Sequence, residues 1–268
     1  MLMTSETKSN LVTNVETRLI ELSSEIDKLG TLFNQLETYQ KFLEEQKISN
    51  PFEGLRNLLN FRIIIGIINL DLCSATLIYL RGKFQYESIS ASRQMIVVIN
   101  EGYKKIYNFI MKSEKGDENS KYRNNSFWIK EIGQIINSHL PECKQHYDDI
   151  TKKLDNYLNV NFEILKAQRD LSVHYDKEPM KVYKMLVELD IEDSFKKLIP
   201  FLDILNEIFA FTQLLADGFR KKTDQANLEQ DKRIDDIADL LDKHKSTNNE
   251  NLITEFKEQL LSLKKLYR

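Results

Sequence analysis

The chain of 268 residues is long enough for one large domain or two small ones, and its 41% hydrophobic content excludes an intrinsically disordered protein. Eight glycines and four prolines are few for this length, which favours long helices over many short strands. The net charge of −3 excludes a global basic field, so any nucleic-acid site has to be local or assembled between subunits.

Residues 8–48 predict one long helix. Apolar side chains recur there at alternating spacings of three and four residues and form a heptad seam, in which Gln40 is the one polar residue. The seam comprises Val12, Val15, Leu19, Leu22, Ile26, Leu29, Phe33, Leu36 and Leu43. In one interpretation the helix packs on the rest of its own chain. In the other, the seam at 12–43 binds a partner protein or a second copy. Pro51 is expected to end the helix.

The middle of the chain predicts further helices and one loop. The apolar run from Phe61 to Leu80 carries an arginine, an asparagine and an aspartate, which indicates a buried helix and argues against a membrane span. The polar segment 113–125 is expected to be a loop. The helices are predicted over about 52–81, 86–112 and 127–139, the last carrying the only tryptophan, Trp128.

The second half is also helical in pattern. Pro141 suits the first turn of a helix, and Pro179 requires that helix to end or kink. Pro200 is expected to bend a later helix or to mark its late start. The predicted helices cover about 141–175, 180–188, 191–221, 228–244 and 252–267. No alternating strand pattern is longer than a few residues, so the predicted class is all-α.

Two cysteines, Cys73 and Cys143, lie far apart without a partner motif, which is typical of a reduced cytosolic protein with two unreactive thiols. The polar N-terminal sequence MLMTSETKSN lacks the apolar segment of a signal peptide, so a cytoplasmic location is expected.

The octet Arg169–Asp176 carries the strongest chemical signal. It reads RDLSVHYD and closes a helical pattern just before Pro179. The guanidinium group of an arginine is always positively charged and binds phosphate through its forked N–H donors, and a histidine can transfer protons near neutral pH. Asp170 stands four residues before His174, on the same helix face, where it can fix the imidazole tautomer.

This octet resembles the R-x4-H motif of the HEPN superfamily of all-helical domains. Arg169 matches the arginine of the motif, Asp170 the polar residue that follows it, and His174 the histidine. The resemblance extends over the helices of about 52–220 and implies an HEPN-like bundle. It divides the chain into a long amphipathic helix (1–50), the bundle (51–221) and a charged helical C-terminal extension (222–268).

The resemblance implies a metal-independent endoribonuclease without a cofactor. His174 would act as general acid or base on the ribose 2′-hydroxyl or the departing 5′-oxygen, and Arg169 would neutralise the developing phosphorane charge. Ser172 and Tyr175 are candidate phosphate donors, and Arg93 is a candidate further charge in the cleft. The implied partners are RNA and a second copy of the chain, in a toxin–antitoxin or antiviral defence system.

Helix geometry sets a condition on this site. Each residue of an α-helix is rotated by about 100° from the one before it. Arg169 and His174, five residues apart, therefore point about 140° apart around the helix axis and do not share one face. They can converge if the helix loosens near His174, or if a second copy contributes its motif. The latter arrangement, with helices paired face to face, is the one that the resemblance implies.

Two other interpretations stay open. His139, Cys143 and His146 are suitable metal ligands, but Pro141 divides them between two helices and no convincing fourth ligand follows, so no metal site is predicted. The alternative function is a non-catalytic helical protein that binds a partner chain or a nucleotide, which suits the heptad seam and the acidic net charge.

Overall fold

A computed structural model describes residues 5–45, 47, 53–107, 125–173, 180–181, 183–184, 191–244 and 250–266. Within these ranges it gives no account of the side chains of 5, 53, 158–159, 161–173, 191–197 and 262–266. The described part of the chain is almost entirely helical and contains no strand, which confirms the all-α prediction. Most of the predicted loop 113–125, most of the predicted helix 180–188, and Pro51 and Pro179 lie outside the described residues.

Helix α1 (Ser5–Glu45) packs antiparallel along α2 (Glu53–Arg81). Glu16 pairs with Arg81 and Glu37 with Arg56, so the start of α1 lies against the end of α2. Every residue of the predicted heptad seam is buried or half-buried within this chain, as the first interpretation of the seam expected.

Helix α3 (Gln85–Tyr107) returns antiparallel beside α2. Two glycines allow α2 to pack closely against both of its neighbours. A Cβ on Gly66 of α2 would lie 2.8 Å from the Ile26 side chain of α1, and a Cβ on Gly102 of α3 would lie 2.9 Å from the Ile68 side chain of α2. The expectation that α2 is buried is only partly met, because Ile67 and Ile78 on its outer side are exposed.

By length and composition alone, Gly54–Arg81 and Leu198–Lys243 could each cross a membrane, and less than half of each apolar window is buried. The core helix of a soluble protein passes the same test, so this finding is weak evidence for a membrane span.

The helix predicted at 127–139 is two elements. A π-helical segment (Phe127–Ile132) begins at Ser126, whose hydroxyl accepts a hydrogen bond from the Ile129 amide, and α4 (Gly133–Ser138) follows. A 3₁₀ turn (Pro141–Cys143) with proline in its first turn then leads into α5 (Lys144–Val173), so Pro141 begins this region as predicted.

Helix α6 (Ile191–Lys243) corrects the prediction of two separate helices over 191–221 and 228–244. Residues 222–227, between the two predicted helices, are mostly polar, but they contain neither proline nor glycine, so no helix-breaking residue interrupts the backbone there. Pro200 lies inside α6. Helix α7 (Glu250–Leu266) is the last element. Backbone contacts divide the chain into two compact units, Met1–Leu215 and Ala216–Arg268.

The core of the first unit is aromatic. Trp128 is fully buried, stacks on Tyr147 with ring centroids 5.0 Å apart, and donates its indole N–H to the Thr151 hydroxyl at 2.8 Å. Phe61 of α2 and Phe211 of α6 lie against the same indole ring. The tryptophan therefore joins the π-helical segment to three of the long helices.

Candidate functional site

The predicted catalytic motif begins in the last two turns of α5. The backbone of Arg169, Asp170 and Ser172 is helical, and the helix ends at Val173. The side chains of these three residues, and the whole of His174 and Tyr175, lie outside the described residues. The convergence of the Arg169 guanidinium and the His174 imidazole therefore stays a prediction.

Helix α3 packs against α5 through two tyrosine hydroxyls. Tyr103 donates to the carbonyl oxygen of Leu154 at 2.7 Å, and Tyr107 donates to Oδ1 of Asp155 at 2.8 Å. The Tyr103 ring also lies 5.7 Å from the Tyr157 ring, centroid to centroid. These contacts join the C-terminal part of α3 to residues 154–157 of α5.

Burial also changes the acidity of Tyr157, which lies in this contact. Desolvation raises the pKa of the Tyr157 hydroxyl well above its ordinary value of 10.0. Tyr157 is therefore a neutral phenol at any physiological pH. Its ring packs against Phe201 of α6, with centroids 5.5 Å apart, which makes it a structural residue of the α3–α5–α6 contact.

Arg93, Asn100 and Tyr107 occupy one stripe of α3, since residues seven apart lie about 20° from each other around a helix. Tyr107 contacts α5. Arg93 is half-buried. The Asn100 side chain is buried, at 1% exposure, and neither of its amide atoms has a hydrogen-bond partner in the described part of the chain.

A second polar cluster was not predicted from the sequence. Arg62 of α2 is buried, donates to the Glu25 carboxylate of α1 and to the Gln213 amide oxygen of α6, and lies 4.8 Å from the centroid of the Phe209 ring. The only sequence feature that pointed to this cluster was the position of a charged residue, Arg62, within the apolar run from Phe61 to Leu80. Its partners are 37 and 151 residues away in sequence, so pattern reading could not identify them.

An open groove between α5 and α6 contains two of the three residues considered as metal ligands. Cys143 and His146 line it, together with the Lys153–Glu207 ion pair. His146 is exposed, and its ring lies 5.0 Å from the Phe211 ring. Among the described residues, no group of three His, Cys, Asp or Glu side chains is placed to hold a metal ion.

Both cysteines are half-buried, and neither forms a disulfide within the described part of the chain. Burial raises the pKa of the Cys73 thiol above its ordinary value of 9.0, and the charge of Arg18 opposes this shift only in part. Cys73 is thus a poor nucleophile at neutral pH, in keeping with a structural thiol.

Comparison with protein-family models, with curated proteins and with solved structures found no match to this chain.

Proposed function

We propose that this protein is a metal-independent endoribonuclease of HEPN type, active in the cytoplasm as a homodimer, with its site at the C-terminal end of α5. The observation that supports the proposal is that the backbone of Arg169, Asp170 and Ser172 is helical at the end of a long helix in an all-α chain.

Arg93 of α3 is the further charge proposed for this site, and it is half-buried. A guanidinium beside that of Arg169 would form the local basic site that a chain of net charge −3 needs in order to bind RNA.

The chemistry follows from the substrate. The ribose 2′-oxygen attacks the adjacent phosphorus while His174 removes the hydroxyl proton, and a cyclic phosphate forms as the bond to the 5′-oxygen breaks. The departing 5′-oxygen then takes up a proton. Arg169 and Arg93 neutralise the charge that develops on the phosphorane oxygens, and Ser172 and Tyr175 donate hydrogen bonds to the phosphate. Asp170 orients the imidazole.

The angular separation of Arg169 and His174 is the reason for proposing a dimer. On one regular helix the two side chains point about 140° apart, whereas two motifs related by a twofold axis can each supply one group to a common cleft. A role in a toxin–antitoxin or antiviral defence system belongs to this proposal through the HEPN resemblance.

Cleavage of labelled structured RNA in the presence of EDTA tests the proposal. We expect His174→Ala and Arg169→Ala each to lower the cleavage rate by about 10²-fold or more. Arg93→Ala is expected to reduce cleavage less, and Lys104→Ala serves as its control, since Lys104 lies on α3 in a surface pair with Glu101. A substrate with deoxyribose at the cleaved nucleotide should stay intact. Undiminished cleavage by His174→Ala would refute the assignment.

The alternative function is a non-catalytic helical interaction or nucleotide-binding protein. The acidic net charge favours it. A stable complex with RNA, with a nucleotide or with a partner protein, formed without any cleavage, would support this alternative.

A further inference from the structure

Helix α1 buries few of its side chains. Of the described side chains in this helix of 41 residues, three are buried, namely Leu22, Leu29 and Leu43. Helix α3 has 23 residues and buries eleven of them. The other residues of the heptad seam in α1 are half-buried. Apolar burial therefore stabilises the docked position of α1 far less, per residue, than it stabilises α3.

Two of the ion pairs that join α1 to α2 are open to solvent. Arg56 of α2 pairs with Glu37, and Arg81 of α2 pairs with Glu16. All four side chains are more than a third exposed. Water and salt screen exposed pairs, so such pairs contribute little free energy. These two pairs align α1 along α2 without holding it firmly.

The third pair, between Glu25 of α1 and Arg62 of α2, has a buried member. Arg62 also donates to the Gln213 amide oxygen and lies over the Phe209 ring, and both of these belong to α6. If α1 moves away, Arg62 keeps the contacts with α6 and becomes open to water on the side that α1 covered. Release of the whole helix therefore leaves no unpaired charge in a dry interior, in contrast to removal of the Glu25 carboxylate alone.

The aromatic core of the first unit is built without α1. Trp128 of the π-helical segment contacts Tyr147 of α5, Phe61 of α2 and Phe211 of α6. Among the described ring contacts, none joins this cluster to a side chain of α1. The environment of Trp128 therefore depends on the packing of α2, α5 and α6.

We propose that α1 is a strap that releases from α2 as one unit while this aromatic core stays folded. Local opening takes place where few apolar side chains are buried, as in α1. A released α1 loses most of its protection from exchange, because an isolated helix is only marginally stable in water. Release uncovers the face of α2 that carries Gly66, which lies against Ile26, and Cys73, whose half-buried thiol lies beside Arg18.

Hydrogen–deuterium exchange of the full-length chain, followed by mass spectrometry, tests this release. It is measured where the exchange rate is proportional to the opening equilibrium. We expect the amides in the middle of α1 to exchange as a group, at least about 100-fold faster than those of α3. Leu22→Ala and, independently, Leu29→Ala should accelerate exchange in α1 by about a further 100-fold, because each leucine loses its burial on release.

Leu154→Ala is the matched control, because Leu154 is fully buried on α5, in the core. This variant should lower the urea midpoint of the Trp128 fluorescence transition and leave exchange in α1 unchanged. Leu22→Ala should leave that midpoint unchanged, and circular dichroism confirms that each variant is folded. Equal protection of α1 and α3, or a change of both readouts by both variants, would show that α1 and the core unfold together and would overturn the inference.

The Cys73 thiol distinguishes release of α1 from unravelling in place. In a Cys143→Ser background, Cys73 is the sole cysteine of the chain. Its alkylation should be about tenfold or more faster when Leu22→Ala is added, since release uncovers the thiol. Unchanged alkylation in a chain whose α1 exchanges rapidly would overturn release. These readouts use no RNA, so the inference does not rest on the proposed ribonuclease function.

Discussion

Removing the partner of the buried Arg62 should cost more stability than removing Arg62 itself. Glu25→Ala leaves the guanidinium, 5% exposed, with only the Gln213 amide oxygen and the Phe209 ring for compensation. Breaking a fully buried ion pair in this way costs about 3–5 kcal/mol. The Glu25 side chain is 34% exposed, so solvent screens the pair in part, and we expect a loss of about 2 kcal/mol.

Arg62→Met is the informative comparison. Methionine fills a similar volume and removes the buried charge, while the half-exposed Glu25 and the exposed Gln213 can both turn to water. We expect a loss of at most about 1 kcal/mol. Urea denaturation followed by circular dichroism measures both free energies of unfolding, and the melting temperature of Glu25→Ala should fall by roughly 4–8 °C. If Arg62→Met costs as much as Glu25→Ala, the reasoning from unpaired buried charge is wrong.

Two further predictions concern single side chains. Asn100→Leu should stabilise the protein by about 1 kcal/mol, because it removes a buried amide without a partner in the described chain. Asn69→Leu, which removes a donor to the Ile65 carbonyl at 3.2 Å, should give no such gain, and destabilisation by Asn100→Leu would contradict the prediction. Glu87 accepts hydrogen bonds from the Phe84 and Lys83 amides, and these hold the pKa of its carboxyl below the ordinary 4.5. The stabilisation that the ionised Glu87 carboxylate provides is therefore complete above pH 4.5 and is lost as the pH falls through the lower pKa of the folded state. NMR titration of this carboxyl measures its pKa directly. Glu87→Gln should abolish the pH dependence.

Local patterns predicted much of the fold. Every residue of the heptad seam in α1 is buried or half-buried, and Pro141 marked the start of the helical region that contains α5. The continuity of α6 was not predicted, because the mostly polar segment 222–227 resembles a connection although it contains no proline or glycine. The π-helical segment at Phe127–Ile132 carries the same apolar pattern as an α-helix and differs only in its hydrogen bonding.

The candidate site was predictable only as a list of residues. Spacing along one helix identifies Arg169, Asp170 and His174, but their meeting depends on contacts between elements. The contact of α3 with α5 involves Tyr107 and Asp155, which are 48 residues apart, and no local pattern encodes such a pairing.

The burial of Trp128 has a practical consequence for solution studies. It is the chain's sole tryptophan, it is fully buried, and its ring stacks on Tyr147 in the first unit. Indole emission is therefore a spectroscopic reporter of that interior alone. Urea titrations followed by fluorescence will therefore record the melting of this interior.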